Sequence, residues 1–337
     1  MQVSPSVDSH RWRVSVAPML DWTDRHCRYL HRLLSRHALL YSEMVTTGAL
    51  IHGDVKRHLR FNLEEQPVAL QLGGSDPADL AHCARLGAQW GYSEINLNCG
   101  CPSERVQRGA FGACLMAEPQ LVADCVKAMV DVVDVPVTVK HRIGIDQIES
   151  YDFVRDFVGT VSQAGCNTFI VHARNAWLKG LSPKDNRDIP PLRYDWAYRL
   201  KRDFPGLVIV LNGGITSTDQ VRTHLDQVDG VMLGREAYHN PWWISQWDAA
   251  FFADPSPGRT SEAVNASGMT REWVEQQMVD YMVREQSAHG VAWPSIARHM
   301  LGLRHEMPGA RHWRRVWSDH SLKGMHPDQV MALANHR

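Results

Sequence analysis

The part of the sequence with the clearest chemical meaning is the string Glu-Ile-Asn-Leu-Asn-Cys-Gly-Cys-Pro-Ser at positions 94–103. Ile95–Leu97 end an apolar strand, and the glycine and proline that follow turn the chain sharply, which leaves Cys101 at the tip of a stiff loop. A thiol at such a place is positioned to react, because its reactivity depends on exposure and on nearby charge. The alternative interpretation is that Cys99 and Cys101 are small buried residues within a turn.

The cysteines follow no disulfide or metal pattern. There are seven of them, an odd number, scattered through predicted helices and strands, which is typical of a reducing compartment. Cys99, Cys101 and Cys114 lack the paired spacing of a zinc site, so we expect no metal ion. Positions 1–10 are polar, and neither a signal peptide nor a membrane span is predicted. We therefore expect a cytoplasmic protein that does not associate with a membrane.

Composition sets wider limits on the fold and on the partners. The chain of 337 residues is 44% hydrophobic, which suits one large domain or two with a sizeable core. Its formal net charge of -1 gives no overall basic character. Any surface that binds nucleic acid must therefore be local.

Apolar runs alternate with helical patterns from residue 14 to about 240, which predicts a parallel sheet. The predicted strands are Val14–Pro18, Leu39–Glu43, Val68–Leu72, Glu94–Asn98, Val137–His141, Thr168–His172, Val208–Asn212 and Gly230–Gly234. Eight strand–helix units of this total length favour a (β/α)₈ TIM barrel, which typically takes about 250 residues. An open doubly wound sheet would alternate in the same way, but no glycine-rich dinucleotide turn follows the first strand.

Polar residues end most of these strands, at the edge where barrel enzymes place their active sites. They are Glu43, Gln71, Asn96, Asn98, Lys140, Arg142, His172, Arg174, Asn212 and Arg235, with Pro18–Met19 and Gly234 beside them. A single buried histidine or lysine is usually a satisfied core group, since burying such a group without a partner is costly. A set of this size at one edge indicates a shared site.

Two glycine-containing strand ends indicate a phosphate site. Asn212-Gly213-Gly214-Ile215 ends the seventh predicted strand, and Gly234-Arg235 ends the eighth. The loops after these two strands commonly bind phosphate in barrels, through bare backbone N–H groups and a helix start. A lone Gly-Gly pair is only a turn. Together the two strand ends predict a phosphate, to which Arg235 could add a forked cation.

A second domain is predicted after Trp247, beyond a Pro/Gly-rich linker at Asp254–Gly258. We expect domain boundaries at 11–247 and 265–335. In the second domain, one helix would bury the face formed by Trp273, Val274, Met278, Tyr281 and Met282. Another helix would begin at Pro294 and continue to about Leu303.

The predicted second domain also carries a local basic segment. Between Pro294 and Arg315 lie five arginines (298, 304, 311, 314 and 315) and one acid, Glu306, together with Trp313 and His299, His305 and His312. Basic residues mixed with aromatics suit a phosphate backbone and exposed bases. The alternative is an ordinary solvated helical face. Lys184, Arg187 and Arg193, after the sixth predicted strand, could continue the same surface.

These motifs together resemble the bacterial tRNA-dihydrouridine synthases, in particular the A-type, over nearly the whole chain. The stretches that carry the resemblance are Ala17–Asp24, Gln71–Gly74, Asn96–Pro102, Val139–Gly144, His172–Lys184 and Asn212–Ile215. The resemblance implies an enzyme that binds FMN, takes electrons from NADPH and reduces uridine in tRNA to 5,6-dihydrouridine. For the A-type it implies the D-loop positions U20 and U20a.

The resemblance also implies roles for individual residues. It implies that Cys101 is the proton donor and that FMN is contacted by Ala17, Pro18, Met19, Gln71, Lys140, His172, Asn212, Gly213, Gly214, Gly234 and Arg235. The expected contacts to RNA are Asn98, Lys184, Arg187 and Arg298. The expected partner is tRNA, and we expect the chain to act as a monomer.

The implied roles agree with elementary chemistry. Once C6 of uracil has received hydride, C5 carries negative charge that a neutral thiol can protonate. A cation at Lys140 and a donor at His172 could stabilise negative charge on a ring carbonyl. A uridine in a loop leaves its stack at lower cost than one in a duplex.

Three other interpretations remain open at this point. The chain could be a flavin barrel that acts on a free pyrimidine, such as a dihydroorotate dehydrogenase, although such an enzyme would not need a basic helical tail. It could be an aldolase-like barrel with Lys140 as a Schiff base and no flavin. It could also be an RNA-binding protein with an inactive barrel.

Overall fold

The computed structural model describes residues 9–103, 106, 109–252 and 269–336. Within this part of the chain, eight parallel strands close into a barrel in sequence order. They are Val14–Val16 (β1), Leu39–Thr46 (β2), Val68–Gly73 (β3), Glu94–Cys99 (β4), Val137–His141 (β5), Thr168–His172 (β6), Val208–Asn212 (β7) and Gly230–Leu233 (β8). The predicted TIM barrel is confirmed, and the largest difference is β2, which continues past Glu43 to Thr46.

Helices connect the strands and, with short segments of tighter or wider winding and loops, form the rest of the described chain. The α-helices are Arg25–Leu34, Thr47–His52, Val55–Leu59, Pro77–Gln89, Pro119–Val130, Tyr151–Ser162, Asp185–Asp188, Tyr194–Asp203, Thr218–Leu225, Arg235–His239, Arg271–His289, Pro294–Ala297, Ala310–Trp317 and Pro327–Asn335. The helix Pro77–Gln89 begins as its sequence predicts: Asp76 accepts a hydrogen bond from the backbone N–H of Asp79, and proline occupies the first turn.

The inner wall of the barrel is apolar in its middle and polar at its mouth. A buried cluster inside the barrel includes Trp12, Ala17, Leu39, Tyr41, Ala69, Ile170, Val208, Val210 and Met232. Alternate residues of a strand face the same side of the sheet. Gln71, His172 and Asn212 therefore lie one step beyond Ala69, Ile170 and Val210 on the same inner wall, at the carboxyl ends of their strands. Because side chains alternate between the two faces of a strand, these polar residues all face the inside of the barrel and form a ring at its mouth.

The described residues form two compact units. The barrel unit contains the described residues up to 21 and residues 39–234, and the tail unit contains Trp22–Ala38 and the described residues from 235 onwards. The predicted domain boundaries, 11–247 and 265–335, stay a prediction. The linker predicted at Asp254–Gly258 lies outside the described residues.

The tail unit is built on the helix Arg271–His289. Val274, Met278, Tyr281 and Met282 are buried on it, as expected, whereas Trp273 is 43% exposed and does not belong to that face. The helix expected from Pro294 to about Leu303 is wrong, because the α-helix ends at Ala297. Beyond that point backbone N–H groups bond three residues back, as from Leu303 to the carbonyl of Met300 over 2.8 Å, and this tighter winding turns the chain.

A buried carboxylate holds the tail helices together. Glu275 is 1% exposed, and its Oε1 accepts hydrogen bonds from the indole Nε1 of Trp313 over 2.6 Å and of Trp317 over 2.9 Å. Its Oε2 accepts from Arg304 Nη2 over 2.7 Å. The expectation that Arg304 and Trp313 contribute to an exposed basic and aromatic surface is therefore wrong. A buried carboxylate takes up their donors instead, and His299 is buried as well.

Replacing Glu275 should destabilise the tail unit. In Glu275→Ala, Arg304 and two indole N–H groups lose their acceptor, and breaking a buried ion pair typically costs about 3–5 kcal/mol. We expect a clearly lower urea midpoint in the tryptophan fluorescence of the variant. Glu272→Ala is the matched control, since that carboxylate is 69% exposed and lies 3.9 Å from Arg304. It should cost less than about 1 kcal/mol, and equal midpoints for the two variants would contradict the assignment.

Candidate active site

The loop that carries Cys101 is held by backbone hydrogen bonds on both sides. Asn98 Oδ1 accepts from the N–H groups of Gly100 over 3.1 Å and Cys101 over 3.0 Å. The Cys101 carbonyl accepts from the N–H of Ala113 over 2.9 Å. The thiol is half-buried, with its Sγ 3.5 Å from the hydroxyl of Ser103. The loop therefore presents a partly exposed sulfur on a fixed backbone, just past the end of β4.

Cys99 differs from Cys101 in its surroundings. It is fully buried, and burial raises the pKa of its thiol well above the ordinary value, with further contributions from Cys125, Cys166 and Cys114. Asn96 and Asn98 lie inside the barrel, so strand alternation directs Cys99 to the outer side of β4. A buried thiol with a raised pKa is inert.

A chain of amide hydrogen bonds, which we call the amide ladder, connects this loop with the barrel interior. Asn98 Nδ2 donates to Gln71 Oε1 over 2.9 Å, and Gln71 Nε2 donates to Asn96 Oδ1 over 2.8 Å. Asn96 Nδ2 donates to the hydroxyl of Thr138 over 2.8 Å, and this hydroxyl donates to Glu94 Oε1 over 2.6 Å. The ladder crosses β3, β4 and β5 and ends on a carboxylate.

Glu94 is fully buried at the inner end of the amide ladder. Besides the Thr138 hydroxyl it accepts the phenol of Tyr41 and the indole Nε1 of Trp12, each over 2.7 Å. Burial raises the pKa of Glu94, and these hydrogen bonds oppose the rise. Sequence reasoning missed this residue, although a polar residue at every second position of a buried strand, at 94, 96 and 98, was a visible signal.

Two residues with predicted ligand contacts belong to the amide ladder. Gln71 is 1% exposed and Asn98 is 9% exposed, and the amides of both are engaged within the protein. The ladder gives them a positioning role in the protein itself. The predicted contacts of Gln71 with FMN and of Asn98 with RNA stay predictions.

Lys140 lies beside the Cys101 loop, opposite Asn98 in the register of β4 and β5. Burial, followed by the charge of Arg142, lowers the pKa of Lys140 to about 7, and Cys101 opposes this shift. Burial, with Arg142 and Lys140 next in size, holds the pKa of His172 well below its ordinary value. Among the described residues, no carboxylate contacts Lys140, Arg142 or His172. Within the part of the chain that the structure describes, the mouth is therefore a basic pocket, in which His172 is a neutral imidazole at pH 7.

Arg142 joins two loops at the mouth. It is 3% exposed, and its guanidinium donates to the carbonyls of Gly100 over 3.2 Å, Asn175 over 3.3 Å and Asn186 over 2.9 Å. It thereby ties the Cys101 loop to the loop after β6. The sequence predicted Arg142 at the mouth but no role for it. Every residue has a backbone carbonyl, so the carbonyl partners of Arg142 give no signal in the sequence.

The end of β7 has a backbone that only glycine accommodates. Gly213 has φ +123° and Gly214 has φ +69°. A Cβ atom on Gly213 would lie 2.9 Å from Cδ2 of His172, which is closer than real contacts allow. The N–H groups of Gly213 and Gly214 donate to no acceptor among the described residues, and Gly213 is buried. Such bare amides form the kind of concavity that binds phosphate.

The ends of β1 and β8 meet beside this site. The N–H of Ala17 donates to the Leu233 carbonyl over 2.7 Å, and a Cβ atom on Gly234 would lie 3.9 Å from Ala17 Cβ and from Met19 Sδ. Pro18 connects Ala17 with Met19. The barrel unit thus brings together the predicted residues at the ends of β1, β7 and β8. Arg235 begins the helix Arg235–His239 in the tail unit, and its predicted phosphate contact stays a prediction.

The residues predicted to contact RNA lie in different surroundings. Lys184 and Arg187 are exposed in the loop after β6. In the tail unit Arg298 forms an ion pair with Asp24 over 2.7 Å and is 42% exposed. The helix Ala310–Trp317 exposes Arg311, Arg314 and Arg315 while it buries Trp313 and Trp317. The tail unit therefore presents the arginines of this helix without aromatic neighbours from the same helix face.

No group of three or more histidine, cysteine or acidic residues is arranged to hold a metal ion in the part of the chain that the structure describes. In the same residues, no helix combines the length and the apolar character that crossing a bilayer would need.

Comparison with known families identifies the barrel. The sequence profile described as dihydrouridine synthase (Dus) matches residues 15–335, nearly the whole chain. The chain belongs to the dihydrouridine synthase family. Similar proteins include the tRNA-dihydrouridine(20/20a) synthases of Vibrio vulnificus (strain CMCP6), at 56% identity over 94% of this chain and 93% of that protein, and of Salmonella typhi, at 58% over 93% and 91%. The enzyme of Pseudomonas putida (strain KT2440) is 55% identical over 96% of this chain and 95% of its own length.

A solved structure supports the fold alone. The 2-naphthoyl-CoA reductase complex with 2-naphthoyl-CoA aligns with a TM-score of 0.54 at 13% identity. The alignment covers 69% of this chain and 49% of that chain. The dihydrouridine synthase family decides against the three other interpretations, namely a free-pyrimidine oxidoreductase, a Schiff-base aldolase and an inactive RNA-binding barrel.

Dihydrouridine synthases use FMN with NADPH as the reductant, and the residues at this mouth fit a flavin. The bare N–H groups of Gly213 and Gly214 suit its phosphate, and the Lys140 amine suits an electron-rich ring, whose negative charge favours the protonated form of the amine.

The geometry at Gly213 allows a direct test of the flavin site. In Gly213→Ala the new methyl group would meet the His172 ring, and φ of +123° would strain the backbone. We expect FMN affinity to fall at least tenfold, which is about 1.4 kcal/mol of binding free energy. Flavin fluorescence titration measures this. Gly206→Ala is the control, since nothing lies within 4 Å of its added Cβ; unchanged affinity in Gly213→Ala would remove Gly213 from the flavin site.

Proposed function

We propose that this chain reduces uridine at positions 20 and 20a in the D-loop of tRNA to 5,6-dihydrouridine, with FMN as cofactor and NADPH as reductant. The observation that carries the proposal is the placement of the half-buried Cys101 thiol beside the Lys140 amine, at the mouth of a dihydrouridine synthase barrel. The choice of positions is supported by relatives named for 20 and 20a at 55–58% identity.

In this proposal FMN is held by the residues at the barrel mouth. They are Ala17, Pro18, Met19, Gln71, Lys140, His172, Asn212, Gly213, Gly214 and Gly234, with Arg235 directly after them in the chain. What supports the set is that a Cβ atom on Gly234 would lie 3.9 Å from Ala17 and Met19, and one on Gly213 would lie 2.9 Å from His172, so these residues are neighbours. When bound, FMN supplies the electron pair that reduces the C5–C6 bond of uracil.

The protein's own part in the reaction is proton delivery and charge stabilisation. Cys101 donates the proton of its thiol to C5 of the uracil ring as a general acid. Lys140 and the neutral His172 offer N–H donors toward negative charge that develops on a ring carbonyl. Arg142 holds the Gly100 carbonyl and so keeps the Cys101 loop in place while the base enters. The target uridine must leave its stack to reach the mouth.

The RNA contacts proposed here are local, as the net charge of -1 requires. Lys184 and Arg187 are exposed beside the mouth, and the helix Ala310–Trp317 exposes three arginines in the tail unit. These side chains suit phosphate groups. Asn98 and Arg298 are the other proposed contacts, the latter by exchanging its bond with Asp24 for a phosphate. We further propose that the chain acts as a monomer, in the cytoplasm where it meets its tRNA substrate.

The activity itself is tested by reconstitution. Purified protein with FMN and NADPH should form dihydrouridine at positions 20 and 20a of unmodified tRNA, located by mass spectrometry of nuclease fragments. Extracted cofactor should run as FMN on chromatography, and NADH in place of NADPH tests the choice of reductant. Dihydrouridine at other positions, or reduction of free uridine in preference to tRNA, would contradict the proposal.

The two neighbouring cysteines provide a matched pair of variants. Cys101→Ala should retain FMN and its reduction by NADPH, but lose a factor of about 10²–10⁴ in the rate of uridine reduction, as is typical for a missing general acid. Cys99→Ala should have a much milder effect, because that thiol is buried on the outer side of β4. Single-turnover assays on tRNA measure both rates. The reverse order of the two variants would show that Cys101 is not the donor.

A further inference from the structure

We infer that Glu94 is a positioning residue for Cys101. Through the amide ladder, the buried carboxylate of Glu94 determines the direction of each hydrogen bond up to the N–H of Cys101. The inference rests on the proposed role of Cys101 as the proton donor. Residues of the barrel interior that touch no reacting atom thereby help to determine the rate of uridine reduction.

The direction of the ladder follows from the chemistry of its inner end. The indole N–H of Trp12 can only donate, so Glu94 Oε2 must accept, while Oε1 accepts from Tyr41 over 2.7 Å. Three hydrogen-bond donors converge on the two oxygens of Glu94, and these bonds favour the ionised carboxylate against the effect of burial. The hydroxyl of Thr138 must therefore donate to Glu94, which leaves its lone pairs as the acceptor for the Asn96 amide.

Each following amide then has a single favourable orientation. Because Asn96 directs its NH₂ group to Thr138, its oxygen faces Gln71, which must supply its own NH₂ group. The oxygen of Gln71 consequently receives the NH₂ group of Asn98. The remaining oxygen of Asn98 faces the Cys101 loop, where it accepts two backbone N–H groups. The orientation of three amides is thus determined by one anion.

The orientation of the last amide decides whether the Cys101 loop can be held. With Asn98 turned over, its NH₂ group would face the N–H groups of Gly100 and Cys101, and donors would meet donors. The oxygen and nitrogen ends of an asparagine amide have the same shape, so packing alone does not select this orientation and the hydrogen bonds must do so. The ladder selects it, since turning one amide would leave buried donors and acceptors unpaired along the whole chain.

Thr138 offers the sharpest test, because a small change there interrupts the ladder. Thr138→Val keeps the shape of the side chain and removes the hydroxyl, whereas Thr138→Ser keeps the hydroxyl. We expect Thr138→Val to lower kcat for uridine reduction roughly tenfold or more, as misalignment of a reacting group does, with a smaller change in KM for tRNA, to which Asn98 is proposed to contribute. Thr138→Ser should restore the rate. Glu94→Gln, which places a donor at the inner end, should resemble Thr138→Val.

A second readout follows the Cys101 loop without any catalysis. We expect iodoacetamide to alkylate Cys101 in Thr138→Val at a rate that differs from wild type by about threefold or more, judged by site-resolved mass spectrometry, with Thr138→Ser close to wild type. Thr168→Val is the control, since this threonine is also buried in the barrel but is no part of the ladder. A loss of general stability would affect Thr168→Val and Thr138→Val alike, and equal effects would overturn the inference.

A double-mutant cycle decides whether Thr138 acts through Asn98. If it does, Thr138→Val should have little further effect on kcat once Asn98→Ala has been introduced, because residues in one network are not additive. Additive effects would overturn the inference. The proposed function fails separately, namely if Cys101→Ala reduces tRNA at the wild-type rate. In that case the alkylation rates still report on the connection between Thr138 and the loop.

Discussion

The hydrogen bond from Thr138 to Glu94 is the interaction on which the geometry of the mouth depends. A carboxylate in the middle of an apolar barrel is costly unless several donors surround it, and here three donors from β2, β5 and the segment before β1 converge on it. Once these donors are committed, every amide between Glu94 and the mouth must be paired in one direction. The Cys101 loop is therefore connected, through these paired amides, to a group that lies well inside the barrel.

The tail unit repeats the same device in a different architecture. Glu275 is buried among helices, and like Glu94 it accepts hydrogen bonds from tryptophan indoles. A buried carboxylate without donors would destabilise either unit, so folding must bring donors from distant parts of the chain to each carboxylate. In both units a polar group therefore specifies which elements come together, while the apolar core supplies the stabilising free energy.

Much of the barrel could be predicted from the sequence because its signals are local. Apolar runs mark the strands, and Gly100 and Pro102 mark the turn that exposes Cys101. Parallel strands then bring their carboxyl ends to one mouth, so the polar strand ends could be assigned to one site without further information. The glycines at 213 and 214 could be recognised for the same reason, because a backbone conformation with positive φ favours glycine at that position.

What the sequence did not reveal depends on partners far apart in the chain. Arg304 and Trp313 look like parts of an exposed basic surface, and only the position of Glu275 shows that they are interior. The helix expected up to Leu303 ends early because the chain winds more tightly after Ala297. Likewise the pairing of Gln71 with Asn96 follows from the register of β3 and β4, which no local pattern specifies.

The lowered pKa of Lys140 couples the mouth to the proton concentration of the solution. With a pKa of about 7, this amine is only half charged at neutral pH when the pocket contains no anion. A negatively charged ligand raises that pKa, so its binding draws a proton from the buffer and weakens as the pH rises above 7. The measured heat of such binding will therefore vary with the ionisation enthalpy of the buffer. Calorimetry in two buffers that differ in this enthalpy gives the number of protons taken up.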